Sequence, residues 1–166
     1  VAYANEEPPF FRTPGMGSYV HAKSLKDEGI EISFMLSLET LGYFSDEEGS
    51  QLYPTPLLGL LYPSKGNFIT LVGNLSQMSL VREVKSGMQP VMSTEVYSIN
   101  APVSVPGIDF SDHRSYWEFD YPALMVTDTA FNRNLNYHTE GDTYEKLDYK
   151  RMSDVVNGLY YLLLTK

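Results

Sequence analysis

Glu6 and Glu7 stand side by side after an apolar stretch and ahead of an aromatic pair, Phe10-Phe11. Adjacent residues leaving an extended strand point to opposite sides. One carboxylate of such a pair can hold a cation while its neighbour faces a substrate and takes a proton from a metal-bound water. The bland alternative is a pair of exposed acids in a turn. Glu39 closes an alternating stretch, and His138 sits in Tyr137-His138-Thr139-Glu140-Gly141-Asp142-Thr143. Asp142 or Thr143 is a natural cap that would fix this loop. A ligand histidine usually gives its second nitrogen to a carboxylate, and Asp142 or Asp112 is available for that. The sequence contains no cysteine, so any metal site has to use His, Asp and Glu.

The remaining reactive side chains point elsewhere. His21 falls inside an expected helix and reads as structural or exposed. His113 ranks behind His138 as a ligand. Ser111 and Ser115 suggest a serine hydrolase, but Gly-x-Ser-x-Gly is absent, as is a phosphate-binding glycine loop.

These residues need elements to carry them. Residues 1 to 5 read as the end of a buried strand, broken by Glu6-Glu7-Pro8-Pro9. A helix is expected over 17 to 27, ending near Gly29. Residues 30 to 39 alternate, with Ile30, Ile32, Phe34, Leu36 and Leu38 on one face. Residues 41 to 66 form a long excursion rich in Gly, Pro, Tyr and Ser, of the kind that often carries function. Continuous apolar runs at 68 to 72 and 123 to 126 read as buried strands. Residues 75 to 84 suit a helix, 91 to 99 a strand, and a short helix should open near Ser111 or Asp112. The last helix spans about 149 to 164, with Met152, Val155, Val156, Leu159, Leu162 and Leu163 on its stripe. Alternating strands and helices favour an α/β architecture with helices on both faces of the sheet, in one domain over residues 1 to 166. In such sheets ligands gather at the carboxyl ends of strands, where Glu6-Glu7, Glu39 and the His138 loop all fall.

The 166 residues carry a net charge of −9. Phosphate binding needs clustered Lys and Arg, so nucleic acid is not an expected partner. No apolar run is long enough to span a bilayer.

Four segments, taken in order, resemble the M28 family of zinc exopeptidases. They are Ala4-Asn5-Glu6-Glu7-Pro8-Pro9-Phe10-Phe11 with Met16-Gly17-Ser18; Leu36-Ser37-Leu38-Glu39-Thr40-Leu41-Gly42-Tyr43; Pro106-Gly107-Ile108-Asp109-Phe110-Ser111-Asp112-His113 with Trp117; and His138-Thr139-Glu140-Gly141-Asp142-Thr143. The resemblance implies a three-layer α/β/α fold around a central, mostly parallel mixed sheet, incomplete at its N-terminus. It also implies an aminopeptidase that acts on peptide substrates with two Zn2+ ions. Glu6 would be general base and acid. Glu7 and His138 would bind one zinc and Glu39 the other, where many members carry Asp. Tyr116 would stabilise the oxyanion, Asp112 would shape the substrate pocket, and Asp142 would orient the His138 loop. The excursion from Leu41 to Lys65 would line a side-chain pocket.

The family places a His-x-Asp motif and a bridging Asp ahead of the Glu-Glu pair, a stretch this sequence does not contain. The expectation is therefore that the chain alone binds zinc poorly and has little activity, and that a homo-oligomer would cover sheet edges left open. Similar proteins are often exported, so a secreted or periplasmic location is expected. The rival readings are a glutaminyl-cyclase-like transferase with a single zinc and a non-catalytic binding module on the same scaffold.

Overall fold

The computed structural model describes residues 1–165. Its elements are α1 (Gly17–Asp27), β1 (Met35–Glu39), α2 (Pro56–Leu61), β2 (Phe68–Gly73), α3 (Met78–Met88), β3 (Glu95–Asn100), α4 (His113–Trp117), β4 (Ala123–Thr127) and α5 (Tyr149–Leu164). The four strands form a sheet in the order β1-β4-β2-β3. The outer pairs β1/β4 and β2/β3 are parallel, and the central pair β2/β4 is antiparallel. Among the described residues no helix is long and apolar enough to cross a membrane.

Alternation along the strands feeds two cores. On one face Ile69, Leu71, Val96, Leu124 and Val126 pack with Leu80, Val81, Val84 and Met88 of α3 and with Val155, Leu159 and Leu162 of α5. Full burial of each such side chain contributes roughly 1.5–3 kcal/mol, so this face anchors the sheet. On the other face Ala123 meets Ala22 of α1 and Tyr116 of α4, while Val72 and Met125 meet Ile108. Helices therefore cover both faces, as the three-layer expectation requires.

Several local expectations are corrected. Residues 1 to 5 lie in no strand, and Val1 is 97% exposed. The strand expected over 30 to 39 forms only from Met35, because its neighbour β4 begins at Ala123 and offers residues 30 to 34 nothing to pair with. Leu38, on the expected inner face, is 56% exposed at this sheet edge. The strand expected from 91 begins at Glu95, after a 3-10 turn over Gln89–Val91. The excursion from 41 to 66 contains α2, opened by Pro56, where proline's fixed φ suits a first helical turn. On α5 the stripe is narrower than expected, since Val156 and Leu163 face solvent.

Candidate functional site

The turn after β1 places Glu39. Ser37 and Glu39 share the face of β1 that carries Met35. Ser111 Oγ donates to Glu39 Oε2 (2.9 Å) and bonds to Ser37 Oγ (2.7 Å). Both serines are buried, so one carboxylate oxygen is held from below. Beyond Glu39 the chain turns through Thr40 at φ 45°. It is then tied to the end of β4 by Asp128, whose Oδ2 accepts from the backbone N–H of Gly42 (2.9 Å) and Tyr43 (2.8 Å). Asp128 Oδ1 accepts from Ala130 N (3.0 Å). A buried carboxylate with three N–H donors is well satisfied, and this one joins the carboxyl ends of β1 and β4.

Glu6 and Glu7 sit in irregular chain pinned at both ends. Upstream, Gly17 N donates to Ala4 O (2.9 Å). Tyr3 OH meets Tyr116 OH (2.5 Å), which also contacts His21 Nδ1 (2.7 Å). Downstream, Arg12 Nη2 binds Asp109 Oδ1 (2.6 Å), with its guanidinium against the rings of Phe11 and Phe110. His138, at φ 58°, stacks on Tyr137 with ring centroids 4.0 Å apart, and its Nε2 lies 3.2 Å from Glu7 Oε1. Its loop is closed by Asn134 Nδ2 donating to Asp142 Oδ1 (2.8 Å). Asp142 thus bonds within the loop and not to the His138 ring.

Glu6, Glu7, Glu39 and His138 line one cavity of about 340 Å3. Ile108, Val72 and Met125 line its buried part, and Leu52, Tyr53, Leu58 and Tyr62 of the 41 to 66 excursion form another wall. The wall is held by a buried arginine. Arg133 donates from Nε to Gln51 Oε1 (2.9 Å), and from Nη1 to the carbonyls of Tyr43 (3.1 Å) and Phe68 (3.0 Å).

Burial raises the pKa of several carboxylates near the cavity. Burial, then the charges of Glu39, Glu7 and Asp112, pushes Glu6 up to about 7. Burial raises Glu39 as well, opposed by the Ser111 bond and reinforced by Asp112, Glu7 and Asp128. Asp112 is raised mainly by burial. Tyr137 is pushed up to about 12 by burial and by the surrounding carboxylates, Glu39 first.

Two expected site residues do not reach this cavity. Tyr116 turns its hydroxyl into the cluster with Tyr3 and His21 and packs against Tyr121, because α4 buries that side of itself against α1. Asp112 is half-buried, has one buried oxygen with no partner, and acts on Glu6 and Glu39 only through its charge. His113 is buried against the Ile108 carbonyl. Asp128 and Arg133 were not singled out in the sequence. Asp128 stands just past the end of β4, a strand-end position like that of Glu39 on β1. Nothing in the pattern around Arg133 announces its burial.

A catalytic zinc needs about three protein donors. Among the described residues no three His, Asp or Glu side chains group closely enough to hold a metal ion. Glu7 and His138 are in contact, while Glu39 is held by Ser111. These residues alone do not fit a complete zinc site.

Comparison with known proteins gives the lineage. The chain is 50% identical over 163 residues to the uncharacterized protein YfbL of Escherichia coli strain K12, covering 98% of this chain and 50% of that protein. It thus spans about half the length of the curated relative it matches. Its fold is similar to that of LapB from Legionella pneumophila, with a TM-score of 0.67 and 17% identity over 98% of this chain and 37% of LapB. It is similar also to the LapA aminopeptidase of the same organism, with a TM-score of 0.65 and 18% identity over 99% of this chain and 38% of LapA. Residues 15–163 match Peptidase family M28, and the chain belongs to that family.

Proposed function

We propose that this chain forms the base-bearing part of an aminopeptidase, an enzyme that removes residues from the free N-terminus of peptides. The observation that supports this most is the meeting of Glu6, Glu7, Glu39 and His138 at one cavity whose other walls are largely apolar, in a chain of a peptidase family. A cavity acidic at one corner and apolar elsewhere suits a ligand with a positive amine beside an apolar side chain. In this reading the acidic corner receives the amino end of the peptide and the apolar walls take the first side chain. Glu6 accepts the proton of the attacking water and passes it to the leaving amine. The Tyr3–Tyr116–His21 cluster and the Arg12–Asp109 pair keep Glu6 in place.

The family is generally zinc-dependent, and we extend that dependence to the whole protein. Glu7, Glu39 and His138 would be this chain's donors, with the others supplied from outside the described residues. Asp142 would keep His138 in position.

The test uses the full-length protein that contains this chain. Glu6→Gln should lower release of the first residue from an unblocked peptide by about 10²–10⁴-fold, while zinc measured by elemental analysis stays at the wild-type level. Undiminished turnover removes Glu6 from the mechanism. No turnover of any unblocked peptide by the wild-type protein favours the non-catalytic binding module instead.

A further inference from the structure

One buried acid takes no part in the proposed reaction. Asp128 is 1% exposed, and its side chain is not among those lining the large cavity. Its backbone N–H donates to the Thr40 carbonyl (2.8 Å). Its Oδ2 accepts from Gly42 N and Tyr43 N, and its Oδ1 from Ala130 N. All four partners are backbone groups, and they belong to two turns. One turn follows Glu39 at the end of β1, and the other carries Thr129 and Ala130, which line the cavity.

Both turns are strained. Thr40 has φ 45°, Thr129 φ 78° and Ala130 φ 44°, in the left-handed region that residues with a side chain seldom enter, β-branched ones least of all. Such residues persist only where surrounding contacts over-determine them, and they gather at functional sites. Here the three meet at Asp128. A second cavity of about 170 Å3 lies behind both turns, lined by Thr40, Gly42, Asp128 and Ala130 among others. The turns therefore have space to relax into, and close packing is not what keeps them strained. The link extends to the cavity wall, because Gln51 Nε2 donates to Thr129 Oγ1 (2.9 Å) and Gln51 Oε1 accepts from Arg133 Nε (2.9 Å).

We infer that Asp128 is a positioning residue: its carboxylate locks the turn after Glu39 against the Thr129–Ala130 turn, and so fixes the acidic corner of the cavity relative to the wall that Gln51 carries. Asp128 acts through these turns and touches no ligand. The lock itself rests on geometry alone, and its effect on turnover rests on the aminopeptidase reading.

The test is Asp128→Asn in the full-length protein. An amide keeps the volume but offers one acceptor oxygen where the carboxylate offers two. It can serve Gly42 and Tyr43, or Ala130, and not both sets. The crystal structure of the variant should therefore show Glu39 or the Thr129–Ala130 turn displaced by about 1 Å or more, and KM for an unblocked peptide should rise about tenfold or more. Loss of folded protein alone would lower the apparent kcat and leave KM unchanged. Both turns in their wild-type places, or an unchanged KM, overturns the inference and leaves the aminopeptidase reading standing. A wild-type protein that turns over no unblocked peptide overturns that reading alone, and the crystal structure of the variant then decides the lock. A measurement on the wild type covers a variant that does not fold: the amides of Gly42, Tyr43 and Ala130 should be protected from hydrogen exchange by about 100-fold or more, and unprotected amides overturn the lock.

Discussion

Acid should loosen this fold through one buried histidine. His113 is wholly buried at the start of α4. Its Nε2 donates to the Ile108 carbonyl (2.8 Å), and its ring sits edge-on to Trp117 with centroids 4.6 Å apart. Nδ1 is buried and has no partner. A charged ring would put an N–H there with no protein group to accept it, buried away from bulk solvent. Burial therefore lowers the pKa from 6.5 to about 4, against the opposing pull of the Ile108 carbonyl and Asp109. The unfolded chain takes up this proton near 6.5 while the folded chain resists until about 4. The stabilisation from a neutral His113 is therefore complete above the unfolded value and is lost as pH falls through that window. Its size is about 3 kcal/mol. The same residue braces the turn that brings Ile108 and Phe110 to the cavity and Ser111 to Glu39, so the loss should reach the site. Trp117, the only tryptophan, reports unfolding by fluorescence. Urea unfolding between about pH 7.5 and pH 4, for wild type and His113→Gln, isolates the effect, since the other titrating groups are common to both. The stability difference between the two proteins should shrink by about 3 kcal/mol over that range. Parallel pH profiles would refute the assignment.

Two further substitutions probe how the cavity is held. In Gly17→Ala the new methyl would lie 2.9 Å from both the N and the O of Ala4, so the backbone leading to Glu6 has to move. A cost of about 1–3 kcal/mol is expected despite alanine's better helix propensity, together with faster amide exchange at residues 4 to 8; unchanged exchange would mean that this contact does not pin the segment. Arg133→Met strips donors from Gln51 Oε1 and from the carbonyls of Tyr43 and Phe68. It should cost about 2–4 kcal/mol and open the 41 to 66 excursion to limited proteolysis, and a variant as stable and as protease-resistant as wild type would show that the wall is held by other contacts.

Much of this was legible in the residues, for identifiable reasons. The apolar runs of β2 and β4 are buried on both faces, so they need no partner to be recognised. The 3.6-residue stripe of α5 is a local signal, and so is Gly29, which stands at φ 67° just past α1. Glu39 was marked by its place at the end of a strand. Tyr116 was not readable in this way. A five-residue helix can present a tyrosine to a cavity or to its neighbours, and only the packing of α1 against α4 turned its hydroxyl toward Tyr3 and His21.

Residue types, their order along the chain and their short-range periodicity were enough to specify an α/β fold with helices on both faces, and to nominate Glu6, Glu7, Glu39 and His138. Tertiary structure alone decided that these four share a cavity, that Asp128, Ser111 and Arg133 hold its walls, and that Tyr116 and Asp112 stand apart from it. The physical reason is range. Helix and strand signals arise from neighbours a few residues apart, whereas a site assembled from residues 6 to 138 depends on strand order and on which faces pack, and those are set by burial across the whole chain.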